Sequence, residues 1–262
     1  MEAQYQADES FWFFFSKKNI LSCGFSGAGG GSPMMLAVGW RLVLHGASDE
    51  ETGGMDRVIE YYHSTRSIYA YFGAARIVAL ARRSGRRLVH IPVDLSLVVP
   101  AAGSQPFAER SATVRRYQFG REIERWSEYL GLPALVDPTH HYGDRTLPSG
   151  FVIAAQAQGA DVDTLHHALL QALWRDDRDV GDPAVVGAIA RECGIDPAPL
   201  LADALSAATQ AAFVAGTEAA IAAGVLGSPS YVVDGEMFYG QDRLIMVERA
   251  LERPFAPSAL PA

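Results

Sequence analysis

Beta-forming segments stand at both ends of a long helical block, and this order constrains the fold more than any other feature of the chain. Val58–His63 (VIEYYH) is rich in β-branched and aromatic residues and reads as a strand. From Ser67 to about Arg83 the apolar residues Ile68, Phe72, Ile77 and Leu80 recur at roughly helical spacing. Arg82 and Arg83 suit the negative end of that helix, and Gly85 suits the position just past it. Leu88–Val93 (LVHIPV) reads as a second strand, which completes a βαβ unit. Helices are then predicted over Ala108–Leu130, Gly150–Gln158, Asp161–Arg175, Pro183–Cys193, Pro197–Leu205 and Ala207–Ala223. Two of these begin Asp-Pro, at Asp182-Pro183 and Asp196-Pro197. The aspartate caps free N–H groups, and the proline fits a first position that needs no N–H partner. Strands return at Ser230–Val233 and Glu236–Tyr239 around Asp234-Gly235, a strong hairpin signal, and a last helix runs from about Gln241 to Leu251.

Strands on both sides of a helical block imply one sheet interrupted by an insertion. The predicted fold class is therefore α/β, with a βαβ half (56–100) and a ββα half (224–254) separated by an all-α insertion (101–223). Residues 1–55 read as an N-terminal extension. FWFFF, the glycine run GAGGGS and the acidic DEETGG follow no sustained period, so this stretch is either a tail or a start placed upstream of a true one at Met55.

Charge and cysteine usage narrow the function classes. Lys and Arg number 22 against 30 Asp and Glu, a formal charge of −8, which argues against a general nucleic-acid binder. No polybasic run offers itself to an anionic membrane, and no apolar run reaches the roughly 18 residues of a membrane-spanning helix. Cys23 and Cys193 form no CxxC pair and no zinc spacing, a usage that fits a reducing cytoplasm. Cys193 reads as a small buried hydrophobe on a helix.

Three constellations could carry chemistry. Ser67-Ile68-Tyr69-Ala70 opens the first helix, where unpaired N–H groups favour an anion. A serine there cannot form a catalytic disulfide, but it can cap the helix or donate a hydrogen bond to a thiolate brought by a ligand. Gly227-Ser228-Pro229-Ser230 precedes a strand, and a cis proline there leaves the Ser228 N–H and C=O free for an extended peptide. Tyr239-Gly240-Gln241-Asp242-Arg243 joins a strand to a helix. Its N–H groups suit a carboxylate and Asp242 suits an ammonium group, though simple capping by Asp242 reads equally well. Arg110, Arg115 and Arg116 suit a substrate carboxylate or a solvated basic face. Tyr69, Phe107, Trp174 and Tyr239 suit an aromatic pocket or core packing. His140-His141 and His166-His167 lack a third ligand at useful spacing and read as loop and helix-surface residues, so no metal is expected.

In this order the three constellations resemble the 2-hydroxychromene-2-carboxylate isomerases, which group with kappa-class glutathione transferases and DsbA-like proteins. The likeness runs from about Val58 to Pro254 and is carried best by SIYAYFGAAR (67–76), REIERWSEYLGLP (121–133) and GVLGSPSYVVDGEMFYGQDRL (224–244). The resemblance implies a thioredoxin-like fold and glutathione as cofactor, with a small aromatic carboxylate as substrate. It implies that Ser67 is the catalytic serine beside the glutathione sulfur and that Ser228 pairs with the glutathione backbone next to cis-Pro229. Tyr239, Gly240, Gln241 and Asp242 would hold the γ-glutamyl end, Arg110 would contact substrate, and His141 would lie near it. Ile68 stands where the family usually has proline, Val99 where it has a substrate-contacting lysine, and Glu109 where it has asparagine. The implied activity is a glutathione-dependent, cytoplasmic isomerase that yields trans-o-hydroxybenzylidenepyruvate. A kappa-type transferase or peroxidase on other electrophiles and a non-catalytic glutathione or peptide binder stay open, as does a homodimer.

Overall fold

The chain is described from a computed structural model over residues 57–257. The extension read over 1–55 and Cys23 lie outside the described residues. Four strands, β1 (Val58–His63), β2 (Arg87–Pro92), β3 (Ser230–Val233) and β4 (Glu236–Tyr239), form one sheet in the order β2-β1-β3-β4. β1 pairs parallel with β2 and antiparallel with β3, and β3 pairs antiparallel with β4. Strands from both ends of the chain thus share one sheet, as the element order requires. The β3–β4 turn places Asp234 at φ 51° and Gly235 at φ 88°, the two positive φ values that a tight hairpin demands. Asp234 also takes two hydrogen bonds of 2.7 Å from the Arg86 guanidinium, which ties the hairpin to the end of the βαβ unit.

The helices are α1 (Ile68–Ser84), α2 (Leu95–Ala101), α3 (Ala112–Arg116), α4 (Glu122–Leu130), α5 (Thr146–Ala157), α6 (Val162–Trp174), α7 (Pro183–Glu192), α8 (Pro197–Ala204), α9 (Ala207–Ala222) and α10 (Leu244–Glu252). One face of the sheet packs Ile59, Tyr61 and Tyr231 against Ile77 and Leu80 of α1 and Leu244 and Val247 of α10. The opposite face packs Tyr62, Val89 and Ile91 against Val98 of α2 and Ala220 of α9. The last helix of the expected insertion, α9, therefore covers the sheet itself. A further core joins Ile68 and Phe72 of α1 to Phe151, Leu165, Leu169, Trp174, Val186 and Leu200 of the inserted helices. The edge strand β2 is closed by a side chain. Gln156 of α5 accepts from the His90 N–H at 2.7 Å and donates to the His90 C=O at 3.1 Å, which blunts an edge that would otherwise pair with other chains.

Local differences from the sequence reading have physical causes. Ser111 caps its helix by accepting from the Val114 N–H, so α3 begins at Ala112 and Phe107–Glu109 is a separate 3-10 turn. Between α3 and α4 lies a π-helical turn, Tyr117–Arg121. α2 was unread because it is short and contains Pro100, yet Asp94 caps it. α5 starts at Thr146 rather than Gly150, because Pro148 falls in the first turn, where its missing N–H has no helical partner to lose. Cys193 is the half-buried C-cap of α7, packed on the helical core, and burial pushes its thiol up. Among the described residues no single helix is long and apolar enough to cross a membrane.

Candidate active site

Ser67 ends the turn from β1 into α1. Its backbone is extended (φ −84°, ψ 117°), and its Oγ accepts from the Ala70 N–H at 3.2 Å, so it is the N-cap of a helix of 17 residues. The same Oγ lies 3.2 Å from the Ser228 carbonyl oxygen, to which it donates. The Ser228 hydroxyl in turn accepts from the Ser64 N–H at 3.0 Å. The Ser228–Pro229 peptide is cis. Pro229 C=O accepts from the Gly240 N–H at 2.8 Å, and a methyl group on Gly227 would come within 3.0 Å of the Tyr239 ring. The three sequence constellations thus converge on one surface at the N-terminus of α1.

Several placements refine the sequence reading. The Ser228 carbonyl is engaged by Ser67 rather than free, whereas its N–H has no hydrogen-bond partner among the described residues. Gln241 is buried, and its side-chain oxygen accepts from Arg76 at 2.8 Å, so its side chain faces inward. Asp242 is half-buried and pairs with the neighbouring Arg243 at 2.5 Å. Gly240 has φ 102°, a backbone conformation that strains any residue with a side chain, and the Asp242 carboxylate lies where its Cβ would be.

Arg110 and His141 reach the site through intermediaries. Arg110 donates to the Gln118 side chain at 2.9 Å and lies 5.9 Å over the Phe119 ring. Tyr69, two residues beyond Ser67, donates to the Gln118 carbonyl at 2.6 Å, and its ring lies 6.4 Å from Phe119. Burial raises the Tyr69 phenol strongly, with Glu122, Tyr239 and Tyr117 adding to the rise and Arg110 opposing it. Phe107 completes the wall against Phe119 at 4.8 Å, while Trp174 is buried and belongs to the core. Phe119 and Gln118 were missed because a π-helical turn breaks the helical spacing that would have put them on a face.

Arg66 was missed as well. It precedes Ser67, and its guanidinium binds the carbonyls of His140 (2.7 Å), His141 and Asp144, which pins the 140–144 loop beside α1. Burial lowers Arg66 to about 10 despite the carboxylates of Asp144 and Asp179. The His141 ring packs on Trp174 at 4.6 Å. Burial, then the Arg66 charge, lowers its pKa from 6.5 to about 4. An unfolded chain therefore binds more protons than the folded one between those values, so His141 costs stability as pH falls through that window. The urea midpoint should decline from pH 6.5 towards 4, and His141→Gln should decline less steeply. Parallel slopes would show that His141 titrates normally.

The model of the DSBA-like thioredoxin domain matches residues 58–252, which is most of the chain. The chain belongs to the DSBA-like thioredoxin domain family. Within this DSBA-like family, similar proteins include the 2-hydroxychromene-2-carboxylate isomerase of Pseudomonas putida, 26% identical over 197 residues that cover 75% of this chain and 95% of the relative. The isomerase of the same name from Sphingobium xenophagum is 26% identical over 204 residues, covering 75% and 99%. A solved 2-hydroxychromene-2-carboxylate isomerase superposes with a TM-score of 0.64 at 24% identity, over 75% of this chain and 95% of that one. A probable DsbA oxidoreductase from Streptomyces coelicolor gives 0.60 at 20% identity, over 78% and 94%. These similarities place the chain in an enzyme superfamily with isomerases among its relatives. In the DSBA-like frame Ser67 occupies the start of the helix that follows the first strand, beside the cis-proline turn.

Proposed function

We propose that this chain is a glutathione-dependent isomerase of 2-hydroxychromene-2-carboxylate-type aromatic acids, which it converts to trans-o-hydroxybenzylidenepyruvates. The observation that carries the reading is the Ser67 hydroxyl at the positive end of α1, 3.2 Å from the backbone of the cis-proline turn, in a chain whose similar proteins are named for this isomerisation. The residues fit glutathione in two respects. Ser228 presents an unpartnered N–H to an extended peptide, and Gly240 keeps a close turn clear of side chain in front of the first-turn amides of Gln241 and Asp242.

When bound, glutathione would supply the sulfur nucleophile that makes bond rotation in the substrate accessible. Ser67 can turn its O–H from the Ser228 carbonyl towards a sulfur anion, and the N-terminus of α1 adds its partial positive charge. Ser228 aligns the peptide backbone, and Asp242 accepts from an ammonium group. Arg110, held by Gln118 and Phe119, supplies the cation for the substrate carboxylate. Tyr69, Phe107 and Phe119 give the aromatic wall and exclude water from it. Asp242→Ala should weaken glutathione binding by about 1.5–3 kcal/mol, the range for a hydrogen bond to a charged group. Calorimetry giving wild-type affinity would rule out this pose. Val99 provides no second cation for a carboxylate, which favours testing other electrophiles beside the chromene acid. A conjugation panel with glutathione separates a transferase from an isomerase. The proposed setting is the cytoplasm, with a small aromatic carboxylate and glutathione as partners.

A further inference from the structure

Three imidazoles meet in the interior beside the sheet. His63 ends β1, His90 lies in β2, and His166 lies on α6. They are 0%, 1% and 1% exposed, which corrects the helix-surface reading of His166. One ring nitrogen from each lies within 4.8 Å of the other two. The ring centroids are 3.9 Å apart for His63 and His166, 5.0 Å for His90 and His166, and 5.4 Å for His63 and His90.

The hydrogen bonding of this group is unusual. Both ring nitrogens of His63, Nδ1 of His90 and Nε2 of His166 are buried without a hydrogen-bond partner among the described residues. Folded proteins pair nearly all such atoms, and one occupant that uses lone pairs would take one nitrogen from each imidazole, three of these four. The one bond that is made points the same way. His90 Nε2 lies 2.9 Å from Asp163 Oδ1. Donation to that carboxylate leaves the lone pair on His90 Nδ1, the orphaned atom. A carboxylate holding one imidazole nitrogen while the other faces a metal is the common outer-shell arrangement of histidine ligands. Burial also holds His63 and His166 well below the ordinary histidine range, so they present neutral nitrogens. Tyr61, whose hydroxyl also has no partner, packs its ring against all three imidazoles at 4.6–5.5 Å.

We propose that His63, His90 and His166 bind one divalent transition-metal ion of the zinc class, with Asp163 orienting His90. Imidazole nitrogen donors select zinc, copper, iron or nickel over the oxygen-seeking magnesium and calcium. Metal–nitrogen bonds of about 2.0–2.1 Å set nitrogen–nitrogen spacings near 3.4 Å, so small side-chain rotations draw the three atoms onto the ion. The ion fastens β1 and β2 to α6, joining the two strands of the βαβ unit to a helix of the insertion. Its ligands come from three separate elements, which is why no spacing in the sequence announced it. The full burial of the site implies that loading accompanies folding.

The test is metal content by mass spectrometry on the full chain, without an affinity tag, expressed in zinc-supplemented medium. About one ion per chain is expected, falling below about a tenth in His90→Phe and in His166→Phe, which keep ring volume and remove the ligand. Wild-type protein refolded from chelator with cobalt(II) should show visible d–d bands and hyperfine-shifted imidazole resonances from three histidines. Less than about a tenth of an ion in the wild type, with no cobalt bands after refolding, overturns the proposal. So does metal retained undiminished in a folded variant, or cobalt spectra without histidine ligation. The wild-type measurements decide the question even where neither variant folds.

Discussion

Replacing Ser67 with alanine is expected to lower isomerase turnover by about 10²-fold or more, the scale on which a lost transition-state donor acts. The hydroxyl has two duties in the structure, and the change removes both. As N-cap it accepts from the Ala70 N–H, and its loss should cost about 1 kcal/mol, or roughly 2–4 °C of melting temperature in a domain of this size. As donor it points across to the Ser228 carbonyl at 3.2 Å, the position from which it can turn to a sulfur anion. Only the second duty bears on turnover. A purely structural serine would give a variant slightly less stable but fully active at a temperature where it is folded. Steady-state rates at saturating glutathione, alongside a melting curve, separate the two. Near wild-type turnover would remove Ser67 from the chemistry.

The largest expected loss of stability lies in the inserted helices, at Gly150. In most exposed helices Gly→Ala is favourable by about 1 kcal/mol, because glycine loses more backbone freedom on folding. Here the sign should reverse. Gly150 sits inside α5 where it crosses the end of α8, and a Cβ would come within 2.0 Å of the Ala204 carbonyl oxygen and 2.9 Å of its carbon. Those atoms are backbone and cannot swing aside. The same carbonyl also accepts from the Gln210 side chain at 2.7 Å, so displacing it breaks a further contact. Gly150→Ala should therefore destabilise by about 3 kcal/mol, in the upper range for overpacking, and lower the melting temperature by roughly 6–12 °C. A neutral or stabilising result would mean that α5 and α8 separate easily.

Much of the fold was legible because local rules and global order agree. The Asp-Pro starts at Asp182 and Asp196 cap α7 and α8 as written, and Asp234-Gly235 makes the hairpin turn. The three constellations were legible as short motifs, and the structure brings them together through Ser67, Ser228 and Gly240. What was not legible depends on distance in the chain. Arg66 acts through carbonyls 74 to 78 residues away, which no local pattern encodes. The inward turn of Gln241 depends on Arg76, 165 residues earlier. His166 sits on a helix buried on several sides, so a polar residue there looked like a surface position until β1 and β2 supplied its neighbours.

The central claim is that Ser67 serves a glutathione-dependent isomerisation, and one measurement bears on it most directly. It follows the absorbance change of 2-hydroxychromene-2-carboxylate with the full chain, with and without glutathione. The account predicts rapid approach to the trans-o-hydroxybenzylidenepyruvate equilibrium that requires glutathione and is lost in Ser67→Ala. Equal rates with and without glutathione, or no conversion with it, would contradict that claim.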